Sequence, residues 1–342
     1  MTHKEATKQS LMKKHLTEEV KKKLAGVVTP SGFTLAQAIN SGLVNEDSSV
    51  GVYAGDEHSY VLFAPLFDPI IEEYHGGYKK EDTHSADLDA TKLVADSVDP
   101  DGSFVVSTRI RVGRNLKGIP FAPAISAEQR REVERRVVDS LSKFDGDLKG
   151  MYYPLAGMDE ATRQQLVADH FLFKKGDRFL EAAGANREWP ESRGIFHSAD
   201  KRFLVWVNEE DELRIISMQE GGNVREVFSR LARAIEMLQR QLQFAYTEHL
   251  GYLSSCPTNL GTAMRASVHV KLPKLGKNEA KLKRICNELK LSLRGIDGEH
   301  SDSKGSVYDI SNKQRLGISE VDAVNLLIRG VGTLIMLEKC ED

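Results

Sequence analysis

Cysteine is scarce. The 342 residues hold three, Cys256, Cys286 and Cys340, an odd set with no Cys-x-x-Cys spacing. This excludes a disulfide framework and a paired-thiolate metal site, and it predicts reduced thiols. No apolar run reaches membrane-spanning length, and the opening MTHKEATKQSLMKKHL is too polar for a secretory signal, so a cytoplasmic protein with no membrane partner is expected. Charge of one sign is missing as well: 47 Lys and Arg face 50 Asp and Glu, a formal net charge of -3, which gives nucleic acid no electrostatic footing. The common glycine-rich phosphate cradles are also absent, since neither G-x-x-x-x-G-K-[ST] nor G-x-G-x-x-G occurs. Any phosphate must therefore be held by side chains.

What is present can build a large core. Hydrophobic residues make up 40% of the chain, and its length exceeds the usual single domain, which predicts two. KQSLMKKHLTEEVKKKLAG spaces Leu11, Met12, Leu16, Val20 and Leu24 as one helix ending at Gly26. TLAQAINSG and SYVLFAPLFDPIIEEYHG continue in helical style, and residues 75–102 read as a linker containing a short helix. Beyond Ser103 the texture turns strand-like in SFVVSTRIRV, FLVWVNEEDELRIISM, ASVHVKL and SVYDISN. Phe203–Asn208 and Leu213–Met218 flank a short acidic turn, which predicts an antiparallel hairpin. Ser126 with Gln129 forms a capping box that should start a helix. We place a boundary near residue 90, with a small all-helical domain at 1–90 and an α+β domain at 91–342.

Arginine is the side chain suited to phosphate, because its planar fork donates two parallel hydrogen bonds and never loses its charge. Arg109, Arg111, Arg214, Arg265 and Arg294 sit at strand ends or in irregular loops. Arg109 and Arg111, two apart on a strand, share a face; the alternatives are a solvated face or an anion held between them. The turn NEEDE at 208–212 is either a solvated tip or a set of carboxylates facing a cation. Glu299 in RGIDGEH supplies a second carboxylate in a loop that could close over a ligand. For Cys256, beside Pro257, three roles stand open: a packed small residue, a nucleophile with a histidine base, or a depressed-pKa thiolate that only supplies charge. Cys286, in a helical EAKLKRICNELK, reads as a buried small residue.

CPTNLGT with RASVH, WVNEEDELRIISMQ, STRIRVGR and VYDISNKQRLG resemble the phosphagen kinases, the ATP:guanidino phosphotransferases, over nearly the whole chain. The resemblance implies a small all-helical N-terminal domain and a larger domain with an antiparallel β-sheet flanked by helices. It implies that Arg109, Arg111, Arg214, Arg265 and Arg294 bind phosphate and that His170 and His269 lie against adenine. Glu210 and Glu299 match the two substrate carboxylates, and Cys256 the substrate-site cysteine. The loop DSSVGVYAGD is short, as in members that take whole arginine. Ser48, Ser49 and Val50 would offer N–H groups to the amino acid's carboxylate, Tyr53 would stand by its α-amino group, and Asp47 would pair with Arg178 across the domains.

The activity implied is reversible transfer of the γ-phosphoryl group of MgATP to L-arginine, giving phosphoarginine and ADP and so buffering ATP, by a monomer. Mg²⁺ would ride on the phosphates with no direct protein ligand, and Glu209 and Asp211 would hold its waters. Glu210 would take the departing proton, and the Cys256 thiolate would balance the guanidinium without forming a covalent bond. Departures from the family pattern are Glu212, Ile296, Asp297 and Ser49. The alternatives are a kinase for taurocyamine or lombricine, a protein-arginine kinase, and an inactive nucleotide-binding homologue.

Overall fold

The computed structural model describes residues 9–169, 171–295 and 305–341. The helical region opens with α1 (Leu11–His15), α2 (Glu18–Leu24), α3 (Leu35–Val44), α4 (Ser59–Leu62) and α5 (Ala64–Tyr74). Residues 11–24 are thus two helices and not the single one their periodicity suggests. Thr17 breaks the run: its hydroxyl accepts the Val20 N–H at 3.2 Å as an N-cap, a local alternative that a β-branched hydroxyl residue offers the backbone. The first-turn N–H groups of α1, at Leu11 and Met12, donate to the carbonyls of Ser49 and Val50, at 3.0 and 2.8 Å.

The remaining elements run β1 (Val105–Arg114), α6 (Ala127–Leu141), β2 (Gly150–Pro154), α7 (Glu160–Ala168), α8 (Arg178–Ala182), β3 (Gly194–Ser198), β4 (Phe203–Val207) and β5 (Leu213–Glu220). They continue with α9 (Val224–Gln239), β6 (Tyr246–Thr247), β7 (Gly251–Tyr252), β8 (Met264–Lys271), α10 (Glu279–Glu288), β9 (Leu291–Arg294), β10 (Val307–Asn312) and α11 (Glu320–Cys340). Eight strands form one sheet in the order β2-β3-β4-β5-β1-β8-β10-β9, with antiparallel neighbours throughout. The β4–β5 hairpin and the α6 capping box stand as the sequence predicts.

One face of the sheet is covered by α9 and α11. On α9 the buried Val224, Val227, Phe228, Leu231, Ala234, Ile235 and Leu238 recur at helical spacing and meet Ile110, Val112, Val205 and Ile215 in one core. Each large side chain there contributes about 1.5–3 kcal/mol by leaving water. Cys286 is packed into the same core from α10, as expected of it. A second core under the helical region reaches across to Phe121, Leu253, Leu260 and Leu316, so the two parts share apolar contact. No helix among the described residues is long and apolar enough to cross a membrane.

Candidate active site

The register of the sheet decides which side chains share its open face. Arg109 pairs with Met218 on one side and Ser267 on the other, and Arg111 with Ile216 and Arg265. Arg214 pairs with Gly113 and Trp206, and His269 with Ser107 and Asp309. Because facing partners in a ladder point the same way, Arg109, Arg111, Arg214, Arg265, His269 and Asp309 all stand on the face away from α9. Arg294 pairs with Asp309 and joins them. All of these but Arg294 line a cleft of about 750 Å³ together with Trp206, Glu209 and Glu210, the size of a small-molecule site. His170, the second residue expected against adenine, lies outside the described residues, as do Ile296, Asp297 and Glu299.

The arginines crowd one another. The neighbouring Arg214 guanidinium, then burial, then Arg109 and Arg265 hold Arg111 well below the ordinary arginine range. Burial first, then Arg214 and Arg265, bring Arg109 down to about 10. A solvated face would not show this mutual repulsion; the cluster is short of anions. Three are supplied by the protein: Asp309 binds Arg265 at 2.9 Å, and Glu210 and Glu209 bind Arg214 at 2.7 and 3.1 Å. The Trp206 ring lies under Arg214 and Arg109, at 5.4 and 5.7 Å from their guanidinium carbons.

The acidic turn is not a solvated tip either. Asp211 and Glu212 are buried, and the backbone around them is pinned to residues 115 and 116. Asn115 Oδ1 accepts the Glu212 N–H at 2.9 Å, and Glu212 Oε2 accepts the Leu116 N–H at 2.6 Å. Asp211 points inward, where Oδ1 accepts from Asn115 Nδ2 and from the Ser255 N–H, both at 2.9 Å, and Oδ2 accepts from Ser254 Oγ at 2.6 Å. With both oxygens so engaged, Asp211 fits a structural tie better than the magnesium-water role expected for it; Glu209 remains on the cleft. Glu210 projects into the cleft, and burial, reinforced by Glu209 and Asp211 against the pull of Arg214, raises its carboxyl to about 7.

Cys256 approaches Glu210 from the segment that Asp211 holds, and the helical region grips that segment as well. Ala54 N–H donates to Ser255 O at 2.7 Å, the Tyr60 hydroxyl to Ser254 O at 2.5 Å, and His75 Nε2 lies 2.8 Å from Pro257 O. The thiol sits 3.1 Å from Thr258 Oγ1. Burial, then the Glu210 carboxylate, push it up to about 12. Burial and the neighbouring carboxylate thus favour the neutral thiol, opposite in direction to the depressed pKa read from the sequence. Tyr53 faces the same pocket; its hydroxyl is raised by burial first, then by Cys256 and Glu210.

The loop 47–56 needs one adjustment. The Ser48 N–H is already spent on Asn45 O at 3.0 Å, so among the described residues Ser49 and Val50 are left with N–H groups to offer a ligand. Asp47 and Arg178 do meet, Arg178 donating to Asp47 Oδ1 at 2.8 Å and to Asn45 Oδ1 at 3.1 Å. Around them Asn40 Nδ2 reaches Ala182 O and Ser41 Oγ reaches Phe179 O, both at 2.8 Å, clasping α3 to α8. Sequence reasoning missed this clasp, and it also passed over Asn259 and Arg315, which stood inside CPTNLGT and SNKQRLG with no signal of their own.

Comparison with known proteins agrees with this geometry. Residues 6–72 match the N-terminal domain of the ATP:guanido phosphotransferases and residues 132–341 their C-terminal catalytic domain. Arginine kinase 1 of Drosophila melanogaster is 51% identical over 332 residues, covering 97% of this chain and 93% of the fly protein. An arginine kinase of Anthopleura japonica is 55% identical over 97% of this chain, which spans only 47% of that longer protein. Among solved structures, lombricine kinase superposes with a TM-score of 0.93 at 42% identity over 98% of this chain and 93% of the other. The substrate-free duplicated taurocyamine kinase of Schistosoma mansoni does so at 0.92 and 41%, over 98% of this chain and 48% of its own. An arginine-lined sheet face, a carboxylate and a thiol meeting beside it, and both family domains in order thus lead to one conclusion: this chain belongs to the ATP:guanido phosphotransferases, the phosphagen kinases.

Proposed function

We propose that the guanidino substrate is L-arginine, phosphorylated reversibly by MgATP to give phosphoarginine and ADP. The observation that carries this reading is the pairing of a short loop at 47–56, its Ser49 and Val50 N–H groups open, with Glu210 and Cys256 across the same pocket. The arginine kinases at 51–55% identity support it. The lombricine and taurocyamine kinases among the structural relatives keep those two substrates as the competing choice.

Phosphoryl transfer asks for alignment and charge stabilisation more than for covalent chemistry. Arg109, Arg111, Arg214, Arg265 and Arg294 would take the phosphates, whose negative charge would offset the arginines' mutual repulsion, with His269 and His170 beside the adenine. Glu209, on the cleft beside Arg214, would hold a water of the magnesium. An arriving guanidinium would draw Glu210 toward its ionised form, since an opposite charge favours the carboxylate. Glu210, with Glu299 as second carboxylate, would align the guanidinium, and Glu210 would accept the proton as the N–P bond forms. The same guanidinium would lower the Cys256 thiol toward the thiolate that steers the reacting nitrogen. Tyr53 would stand by the α-amino group, and the Asp47–Arg178 pair would help hold the closed state, from which water is excluded. The helical domain is placed at 1–90 and the catalytic domain at 91–342, in a cytoplasmic monomer.

A coupled ADP-release assay with L-arginine, taurocyamine and lombricine tests the substrate. Highest kcat/KM with L-arginine is expected; a preference for either of the others would overturn it.

A further inference from the structure

Arg315, in the connection between β10 and α11, lines a small recess with Asn259 at the edge of the arginine face, beside Arg111, Arg214 and Arg265. Its NH1 group donates to Thr258 O at 3.0 Å and to the Asn259 side-chain oxygen Oδ1. Asn259 Nδ2 in turn lies 3.4 Å from Glu210 Oε1, a long contact of the kind that tightens when a catalytic site fills. The orientation of this carboxamide follows from chemistry. A guanidinium only donates and a carboxylate only accepts, so the amide between them must turn its oxygen to Arg315 and its NH₂ to Glu210. Further contacts hold the arrangement rigid. The Thr262 N–H donates to Arg315 O at 2.9 Å, and a Cβ on Gly261 would meet that same oxygen at 2.2 Å, so the two backbones touch. Arg315 also fixes the Pro257–Asn259 turn from which Cys256 reaches the pocket.

We infer that Asn259, locked by Arg315, is a positioning residue for Glu210: it fixes one carboxylate oxygen and leaves Oε2, now held by Arg214, to face the substrate. The inference rests on the reading of Glu210 as proton acceptor.

The test uses the full chain with MgATP and L-arginine. Asn259→Asp keeps an oxygen for Arg315 but sets a second carboxylate against Glu210. It should lose about tenfold or more in kcat and move the ascending limb of the pH–rate profile up by about one unit, with KM for MgATP within about twofold. Arg315→Met reads the relay from its far end and should lower kcat and move the limb the same way; it serves if Asn259→Asp melts early. A kcat and limb like the parent's in a variant that melts with the parent would overturn the inference. Glu210→Gln is measured alongside. If it is inactive while Asn259→Asp behaves as the parent, only the relay is rejected; if Glu210→Gln is fully active, the proton-acceptor reading goes, and the relay with it.

Discussion

Arg214 binds Glu210 across 2.7 Å, which pairs the cation proposed for phosphate with the carboxylate proposed for the guanidinium. On the proposed mechanism, binding of both substrates would part them, each taking a partner of opposite sign. The account then fixes a pH dependence. Glu210 is raised to about 7, and on the proposed mechanism it would act as the carboxylate, so forward kcat/KM for L-arginine should fall as pH drops through that value. Glu210→Gln should cost about 10²–10⁴ in kcat and abolish that limb, as initial rates between pH 6 and 9 would reveal.

On the proposed mechanism Cys256 would supply charge and not a bond. Cys256→Ala should slow turnover while leaving measurable activity, whereas a covalent intermediate would require its loss to be complete. With the thiol pushed up to about 12 by burial and Glu210, iodoacetamide should alkylate it slowly at pH 7, because the thiolate is the reactive form. Mass spectrometry of the modified chain gives the rate.

Gly42 on α3 supports the substrate loop from behind. A Cβ there would meet Gly51 O at 2.4 Å and Gly51 Cα at 2.6 Å, both backbone atoms that cannot swing aside. Gly42→Ala should cost roughly 1–3 kcal/mol by overpacking and push residues 48–51 out of place. The expected signature is a lower melting temperature and a KM for L-arginine that rises more than that for MgATP.

Glu212 is buried with Oε1 unpartnered, and burial, then the Asp211 charge, hold its carboxyl well above its ordinary 4.5 against the Leu116 hydrogen bond. A raised carboxyl means the folded state keeps a proton that the unfolded chain gives up. Its contribution to stability is therefore full below the ordinary value and is lost as pH rises toward the folded one. Glu212→Gln retains an acceptor for the Leu116 N–H and cannot ionise. Its melting temperature should match the parent at pH 4 and exceed it at pH 8, by about 2–4 °C for each 1 kcal/mol recovered.

Local signals in the sequence were readable because their causes are local. The β4–β5 hairpin followed from two alternating runs around a short turn, and α6 from Ser126 and Gln129. The sheet order was not readable, since β1 lies between β5 and β8 through pairings over a hundred residues apart. That order is what turns scattered arginines into one charged face. Thr17 was misread because apolar spacing continues across it while its hydroxyl caps the next helix. The site residues came from a family resemblance, yet their ionisation did not: the neutral Cys256 and inward-turned Asp211 depend on burial and on Ser254, Ser255 and Asn115, which no motif displays. Asn259 and Arg315 escaped notice for the same reason, their meaning lying in a contact across 56 residues.

The central claim is that Glu210 aligns a guanidinium for direct attack on a phosphoryl group held by the arginine face. Phosphorus NMR on MgATP and L-arginine tests it most directly, because a new nitrogen–phosphorus bond gives its own resonance. The account predicts that resonance growing with ADP when the parent chain is added, and its near absence with Glu210→Gln. No such resonance from the parent, or an equal rate from the variant, would contradict it.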